Sequence, residues 1–264
     1  MNYRHFLFVF LLIGAGDVLQ AETLVVFGDD SYSPVVHLKD GKPAGVLPAV
    51  LARAELLTGD TYVVKLSPWK RAYALAVRAE GGVLGVSFNQ ERAKNFDFSK
   101  PIFDDDIQIV TLKSHIFAFG KLEDLKGKVI GGVLGASYGD EVDQAIADGL
   151  FTVERDVGQS GRLRKLLAGR LDAAFIGNGN AGFSGVVDSV AELRAHRNEF
   201  SVLPKPLARD PLHLAFPKAM NKREALARFD AALEKLKKKR SVTKHHCSGN
   251  AVRPQRLYPR TPGT

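Results

Sequence analysis

Hydrophobic and polar positions along this chain alternate between two textures, short apolar runs and longer stretches with helical spacing. Thr23 to Phe27 is a β-branched run that breaks into the polar loop Gly28-Asp29-Asp30-Ser31-Tyr32-Ser33-Pro34, a strand followed by a turn. A second turn follows at Asp40-Gly41-Lys42-Pro43. Apolar residues at 47, 50, 51, 54, 56 and 57 then predict an amphipathic helix ending near Gly59. Thr61–Leu66 and Val83–Phe88 are expected as strands with a helix between them from Trp69 to Ala79, and Ile107–Leu112 is a further strand.

The pattern then restarts. Leu122 to Gly127 prefaces a strand from Lys128 to Leu134, and Gly135-Ala136-Ser137-Tyr138-Gly139 leads into a helix from Asp140 to about Asp148. A strand at Phe151–Arg155, a helix at Gly161–Leu167 and a buried strand at Leu171–Ile176 follow, then a return strand at Leu212–Phe216 and a long helix from Asn221 to Lys237. Strands and helices alternating twice over argue for two α/β lobes with largely parallel sheets. Ile107–Leu112 and Leu212–Phe216 are the natural crossings between them, and a hinged clamshell with its ligand held between the lobes is the arrangement expected. A single doubly wound domain fits the same pattern and stays open.

The two ends of the chain carry different information. Arg4, the apolar stretch Phe6–Ala15 and the small residue Ala21 have the layout of a secretory signal peptide over residues 1–21. Export to the periplasm is therefore expected. The single cysteine, Cys247, excludes an intramolecular disulfide and a thiolate metal cluster. The charge of +8 suggests nucleic acid at first, but nine basic residues and no acid lie between Lys235 and Thr264, which leaves the other 234 residues near −1. Basicity belongs to the tail, and residues 239–264, rich in Pro, Arg and His without apolar periodicity, are expected to be disordered. No nucleic-acid partner is expected.

The most informative segment is Glu91-Arg92-Ala93-Lys94-Asn95-Phe96-Asp97-Phe98-Ser99-Lys100-Pro101, with Ser87 five residues ahead of Arg92. A planar guanidinium beside a hydroxyl suits a carboxylate, which it grips with paired charge-assisted hydrogen bonds. The segment resembles the ERxxxxxFSxP signature of the family 3 extracellular solute-binding proteins, the amino-acid-binding subunits of bacterial import systems. Leu122–Lys128 resembles the family's opening of lobe two, Gly132–Tyr138 its GVxxGT/S loop, and Leu167–Phe175 its LxxGRxDAxx run, all in family order.

The resemblance implies a type II periplasmic-binding-protein clamshell with mainly parallel central sheets and two hinge strands. Lobe one would comprise residues 22–110 and 213–238, and lobe two residues 111–212. It implies that Ser87 and Arg92 hold the carboxylate of a small ligand, an amino acid or a relative, and that Tyr32 packs on the ligand. Trp69, the only tryptophan, is either a cleft wall or core. Ser137 and Tyr138 stand where a helix begins, and its free N–H groups would complete an anion cage from lobe two; an ordinary helix cap explains them equally well. Asn178 is a candidate contact or a turn residue.

One departure concerns the acid that pairs with the ligand ammonium in the family. Its place is taken by Gly177, so Asp29 or Asp30 would have to substitute, or the ligand lacks an ammonium. Asp104-Asp105-Asp106 reads as a solvated turn, since three consecutive carboxylates cannot face one ion. No catalytic constellation, cofactor motif or metal-ligand spacing is present in the sequence. The expected function is therefore a monomeric periplasmic solute-binding protein presenting its ligand to the permease of an ABC transporter. A dehydratase-like enzyme on the same fold and a ligand-sensing module are the alternatives.

Overall fold

The computed structural model describes residues 21–249, with side chains described to residue 238. The expected signal segment up to Gln20 and the stretch 250–264 lie outside the described residues. Strands β1 (Thr23–Asp29), β2 (Ser31–Tyr32), β3 (Val36–Lys39) and β4 (Lys42–Ala44) precede helix α1 (Val46–Thr58). Then come β5 (Thr61–Ser67), α2 (Trp69–Val77), β6 (Gly82–Ser87), α3 (Gln90–Asn95), β7 (Phe96–Phe98) and the long strand β8 (Phe103–Leu112). The second half holds β9 (Val129–Val133), α4 (Asp140–Ala147), β10 (Thr152–Asp156), α5 (Gln159–Leu167), β11 (Ala173–Ile176), α6 (Gly179–Ser189), α7 (Ala191–Ala195) and β12 (Phe200–Val202). Strand β13 (Ala208–Pro217) and helix α8 (Arg223–Gly249) close the chain.

One continuous mixed sheet joins the two halves in the order β10-β9-β11-β8-β13-β6-β1-β5. At one end β5, β1 and β6 are parallel, and at the other β10, β9 and β11 are parallel. Between them β8 and β13 run antiparallel to each other, from Phe103↔Leu212 to Ile107↔Ala208, and each is also antiparallel to the strand beside it in its own half. Both lobes are thus parallel α/β units, and two ten-residue strands cross between them. The crossings expected at 107–112 and 212–216 are the outer halves of these strands.

Packing follows the sequence pattern. Leu47, Leu51 and Ala54, spaced by four and three residues, form the buried stripe of α1. They pack with Leu84, Leu214 and Phe229 beneath α8. Gly59 ends α1 in the left-handed region at φ 80°, where a side chain is strained. In lobe two, Ile109, Phe175 and Phe151 fill one face of the sheet, while Leu163, Ile176 and Val187 fill the other. Arg228 anchors α8 to lobe one with two nitrogens on the buried Asp60 carboxylate, at 3.0 and 2.8 Å.

The motif residue Ser99 has a structural task. Its N–H donates to Leu214 O at 2.8 Å, and its hydroxyl accepts from Leu214 N at 3.0 Å, which locks the turn after β7 onto β13. Ser99→Ala is expected to cost about 1–2 kcal/mol by leaving that buried N–H unpaired, read as a lower urea midpoint with an unchanged slope.

Several sequence expectations are corrected here. Asp104–Asp106 is part of β8, and the strand's period of two turns Asp105 inward, 1 % exposed, between its more exposed neighbours. Helix α5 begins at Gln159, two residues early, and α6 is a helix the reading did not anticipate. The C-terminal helix does not stop at Lys237 but continues to Gly249, into the stretch expected to be disordered from 239.

Candidate functional site

Where the two parallel sheets point their strand ends at one another, the lobes flank a partly open cavity of about 90 Å³. This is the carboxyl end of the strands, where open α/β sheets leave a crevice for ligands. Lobe one supplies Asp29, Tyr32, Trp69, Gly85 and Ser87; lobe two supplies Ser137, Tyr138, Gln159, Arg162 and Gly177. The crossing strands add Asp105 and Asp210.

The lobes also touch directly. Trp69 Nε1 donates to Gly135 O at 3.1 Å, Asn89 Nδ2 to Ser137 Oγ at 3.0 Å, and Gln90 N to Asp140 Oδ1 at 3.1 Å. Trp69 is thus both cavity wall and lobe-one core, where it stacks on Tyr73 at 5.8 Å. Losing the indole N–H in Trp69→Phe is expected to weaken ligand capture about fivefold, because roughly 1 kcal/mol of closed-state stabilisation goes with that bond. Calorimetric titration with the preferred ligand checks it.

Five of the eight expected site residues line the cavity: Tyr32, Trp69, Ser87, Ser137 and Tyr138. Their bonding differs from expectation. The Ser87 hydroxyl donates to Asp210 Oδ2 at 2.6 Å. The Ser137 hydroxyl and Tyr138 N both donate to Asp143, in the first turn of α4, so these two groups are engaged by a carboxylate of their own lobe. Tyr138 Oη accepts from Val133 N at 2.8 Å, while the ring packs edge-on against Phe175.

Asp30, Arg92 and Asn178 are not on the cavity wall. Asp30 is half-buried and its neighbour Asp29 faces the cavity instead, with one oxygen accepting from both Ser31 N and Ser31 Oγ. Arg92 is buried behind the wall. Its guanidinium donates to Ser87 O at 2.9 Å and Gly135 O at 3.3 Å, and lies 4.8 Å over the Tyr73 ring. The motif fixes where this arginine stands in the chain, and its side chain spans the lobes. Asn178 begins α6 in the left-handed region, and its backbone N–H donates to Asp105.

Arg162, which the sequence reading passed over, is the one cation lining the cavity among the described residues. It is 2 % exposed, donates through Nη1 to Phe175 O, and has Nε 3.3 Å from Asp156. A signal was present: Gln159, Arg162, Leu163 and Leu166 are the buried positions of α5, so a charged residue occupies the apolar stripe of a helix. Asp105 and Asp210 were missed as well. Burial pushes Asp29 and Asp105 above the usual carboxylate range and Asp210 up to about 7.

Gly177 explains its own departure. A Cβ there would run into the Tyr32 hydroxyl and approach Asp105 Oδ2 to 2.9 Å. The space in which a side chain at 177 would begin already contains a carboxylate from β8. Neither Asp29 nor Asp30 sits there.

Comparison with known proteins agrees with this fold. The model of bacterial extracellular solute-binding proteins, family 3, matches residues 24–246. A Bacillus subtilis (strain 168) protein named "Probable amino-acid-binding protein YxeM" is 26 % identical over 156 residues, 58 % of this chain and 58 % of that relative's length. An ancestral arginine-binding protein bound to arginine superposes with a TM-score of 0.68 at 24 % identity, over 86 % of this chain and 97 % of that one. A histidine kinase sensor domain with similarity to periplasmic binding proteins does so at 0.68 and 22 %, over 87 % and 96 %.

Proposed function

Because the chain belongs to the bacterial extracellular solute-binding proteins of family 3, we propose that it captures a free amino acid between its lobes and delivers it to an ABC transporter. Capture takes place in the periplasm, and the protein acts as a monomer. The observation that carries this reading is the cleft with one buried cation, Arg162, and three carboxylates, Asp29, Asp105 and Asp210, on walls drawn from both lobes. An amino acid carries both charges, and a desolvated charge needs a partner of the opposite sign. The amino-acid-binding name of the Bacillus subtilis relative points the same way.

In this account Arg162 takes the ligand carboxylate. Arg92 and Trp69 latch the lobes through Gly135 O, and Tyr32 and Tyr138 bound the ligand body. Closure is driven by the ligand's extra affinity for the closed form, which the lobe-two groups Arg162 and Gln159 supply. A thermal-shift screen against the twenty amino acids and a set of sugars tests the reading. Amino acids are expected to raise Tm, by an amount equivalent to about 2.7 kcal/mol at a hundred times Kd. Stabilisation by sugars alone would overturn it.

A second reading is favoured by one observation. An enzyme on this fold would need a positioned acid in the cleft, and Asp210, with its carboxyl near pH 7, is one. Incubation of the stabilising compound with the protein, followed by NMR, separates the two: a binder leaves it unchanged, an enzyme converts it.

A further inference from the structure

Asp105 and Asp210 are directly opposed in the antiparallel pairing of the two crossing strands. Directly opposed residues share a face of the sheet, with Cβ atoms about 5 Å apart. Both are buried, 1 % and 8 % exposed, and both line the cavity. Their donors are all neutral: the Tyr32 hydroxyl and Asn178 N–H on Asp105, and the Ser87 hydroxyl on Asp210. Neither has an ion-pair partner among the described residues. Two like charges so placed are unstable unless a proton or a cation joins them. An independent observation names what is missing. Gln159, 9 % exposed and on the same cavity wall, has its Oε1 buried with no donor. The cavity wall thus holds one buried acceptor without a donor in addition to the two carboxylates.

We propose that the Asp105–Asp210 pair is the cation subsite of the cleft, taking the ammonium or guanidinium group of the ligand in exchange for a proton that the pair holds when the cleft is empty. The inference rests on reading the cleft as an amino-acid site and assigns one end of it. The carboxylate, absent at Gly177, has moved to the strands that cross between the lobes, so the group that holds the cation sits at the crossing itself. The exchange balances simply: a carboxyl O–H gives its proton to solvent as the cation enters, and no other bond changes.

Charge around the pair supports the exchange. Burial is the largest influence raising Asp210, and the Asp105 charge adds to it against the Ser87 hydrogen bond; burial likewise raises Asp105. Asp106 of β8 and Asp143 of α4 act on the pair with negative charge and Arg92 of α3 with positive charge, while Asp29 of β1 and Arg162 of α5 line the same cavity. Tyr32 of β2 stays neutral, its hydroxyl raised well above its ordinary value by burial and by Asp105. The pair therefore titrates as a unit. Folded-state values above the unfolded ones mean that its contribution to stability is present at low pH and lost as pH rises through about 7, unless a cation replaces the proton.

The test uses the wild-type protein, Asp105→Asn/Asp210→Asn and Asp210→Asn alone, which keeps one carboxylate should the double variant not fold. Calorimetry at pH 6 and pH 8 uses L-arginine, L-lysine, L-glutamine, L-norleucine and putrescine, and thermal unfolding follows the ligand-free proteins from pH 5.5 to 8.5. For the compounds that bind, affinity is expected to rise about tenfold from pH 6 to pH 8, with proton release at pH 6. The double variant should bind about thirtyfold more weakly at pH 8 and show no such rise. Binding of norleucine assigns the α-ammonium to the pair; binding confined to arginine, lysine or putrescine assigns a side-chain cation. Ligand-free wild type should lose Tm as pH rises through 7, and the double variant should not. Equal binding by wild type and variants, or affinity without pH dependence, overturns the subsite and leaves the amino-acid reading standing. Binding of putrescine alone sinks the amino-acid reading and leaves the subsite. If none of the five compounds binds, both fall.

Discussion

Arg162→Met is expected to weaken amino-acid capture by about a hundredfold while leaving a folded protein. Hydrogen bonds to charged groups contribute roughly 1.5–3 kcal/mol each, and a ligand carboxylate would meet its charge partner only here. Methionine keeps the stem that packs beneath β9 and β11 but removes the positive charge. That charge also faces Asp29, so its loss leaves the cavity uniformly acidic and repels the ligand carboxylate. Stability should fall much less, because Asp156 keeps Lys165 Nζ at 3.2 Å. Calorimetry beside thermal unfolding separates the two effects. A variant that binds as tightly as wild type would return the carboxylate to Arg92 and Ser87.

Gly177→Ala is expected to cost the closed form about 1–3 kcal/mol, a loss of roughly five- to 150-fold in affinity. The added methyl meets the Tyr32 hydroxyl, which belongs to lobe one and is held by Asp105. Either Tyr32 gives up Asp105 or the lobes stop short of contact. Opening of the lobes would carry Tyr32 away and leave only the 2.9 Å approach to Asp105 Oδ2, so ligand-free stability should change less than affinity and ligand-dependent compaction in small-angle scattering should shrink. Gly177→Asp restores the acid at the family position, yet it is expected to bind worse than Gly177→Ala. Its side chain is larger and adds a like charge beside Asp105.

The architecture was legible because period-two and near-four hydrophobic patterns survive in almost every element, and the restart after Leu122 marks the second lobe. The crossings were visible as apolar runs, but only in part: their inner halves, Phe103–Asp106 and Ala208–Pro211, mix polar with apolar residues, and where they pair only Asp105 and Asp210 turn inward and are buried. That is why Asp105 reads as turn and sits in the site. Arg92 shows another limit. Motif spacing places a residue in the chain, whereas the direction of its side chain depends on Tyr73 and on the approach of Gly135 from the other lobe. Helix α6 escaped notice because Gly179, Asn180 and Gly182 open it with poor helix formers, and it is tertiary packing of Phe183 and Val187 that holds it. The continuation of α8 past Lys237 is consistent with lysine and arginine being good helix formers with no proline before Pro254.

The central claim is that one cleft grips both charges of an amino acid, with Arg162 on one side and the Asp105–Asp210 pair on the other. The most direct measurement is the calorimetric affinity, at pH 8, of the amino acid that stabilises the protein most, of its deaminated acid and of its decarboxylated amine. Each half-ligand is expected to bind at least about a hundredfold more weakly than the intact amino acid, since each leaves one buried charge without its partner. Equal binding of either half-ligand would contradict the account.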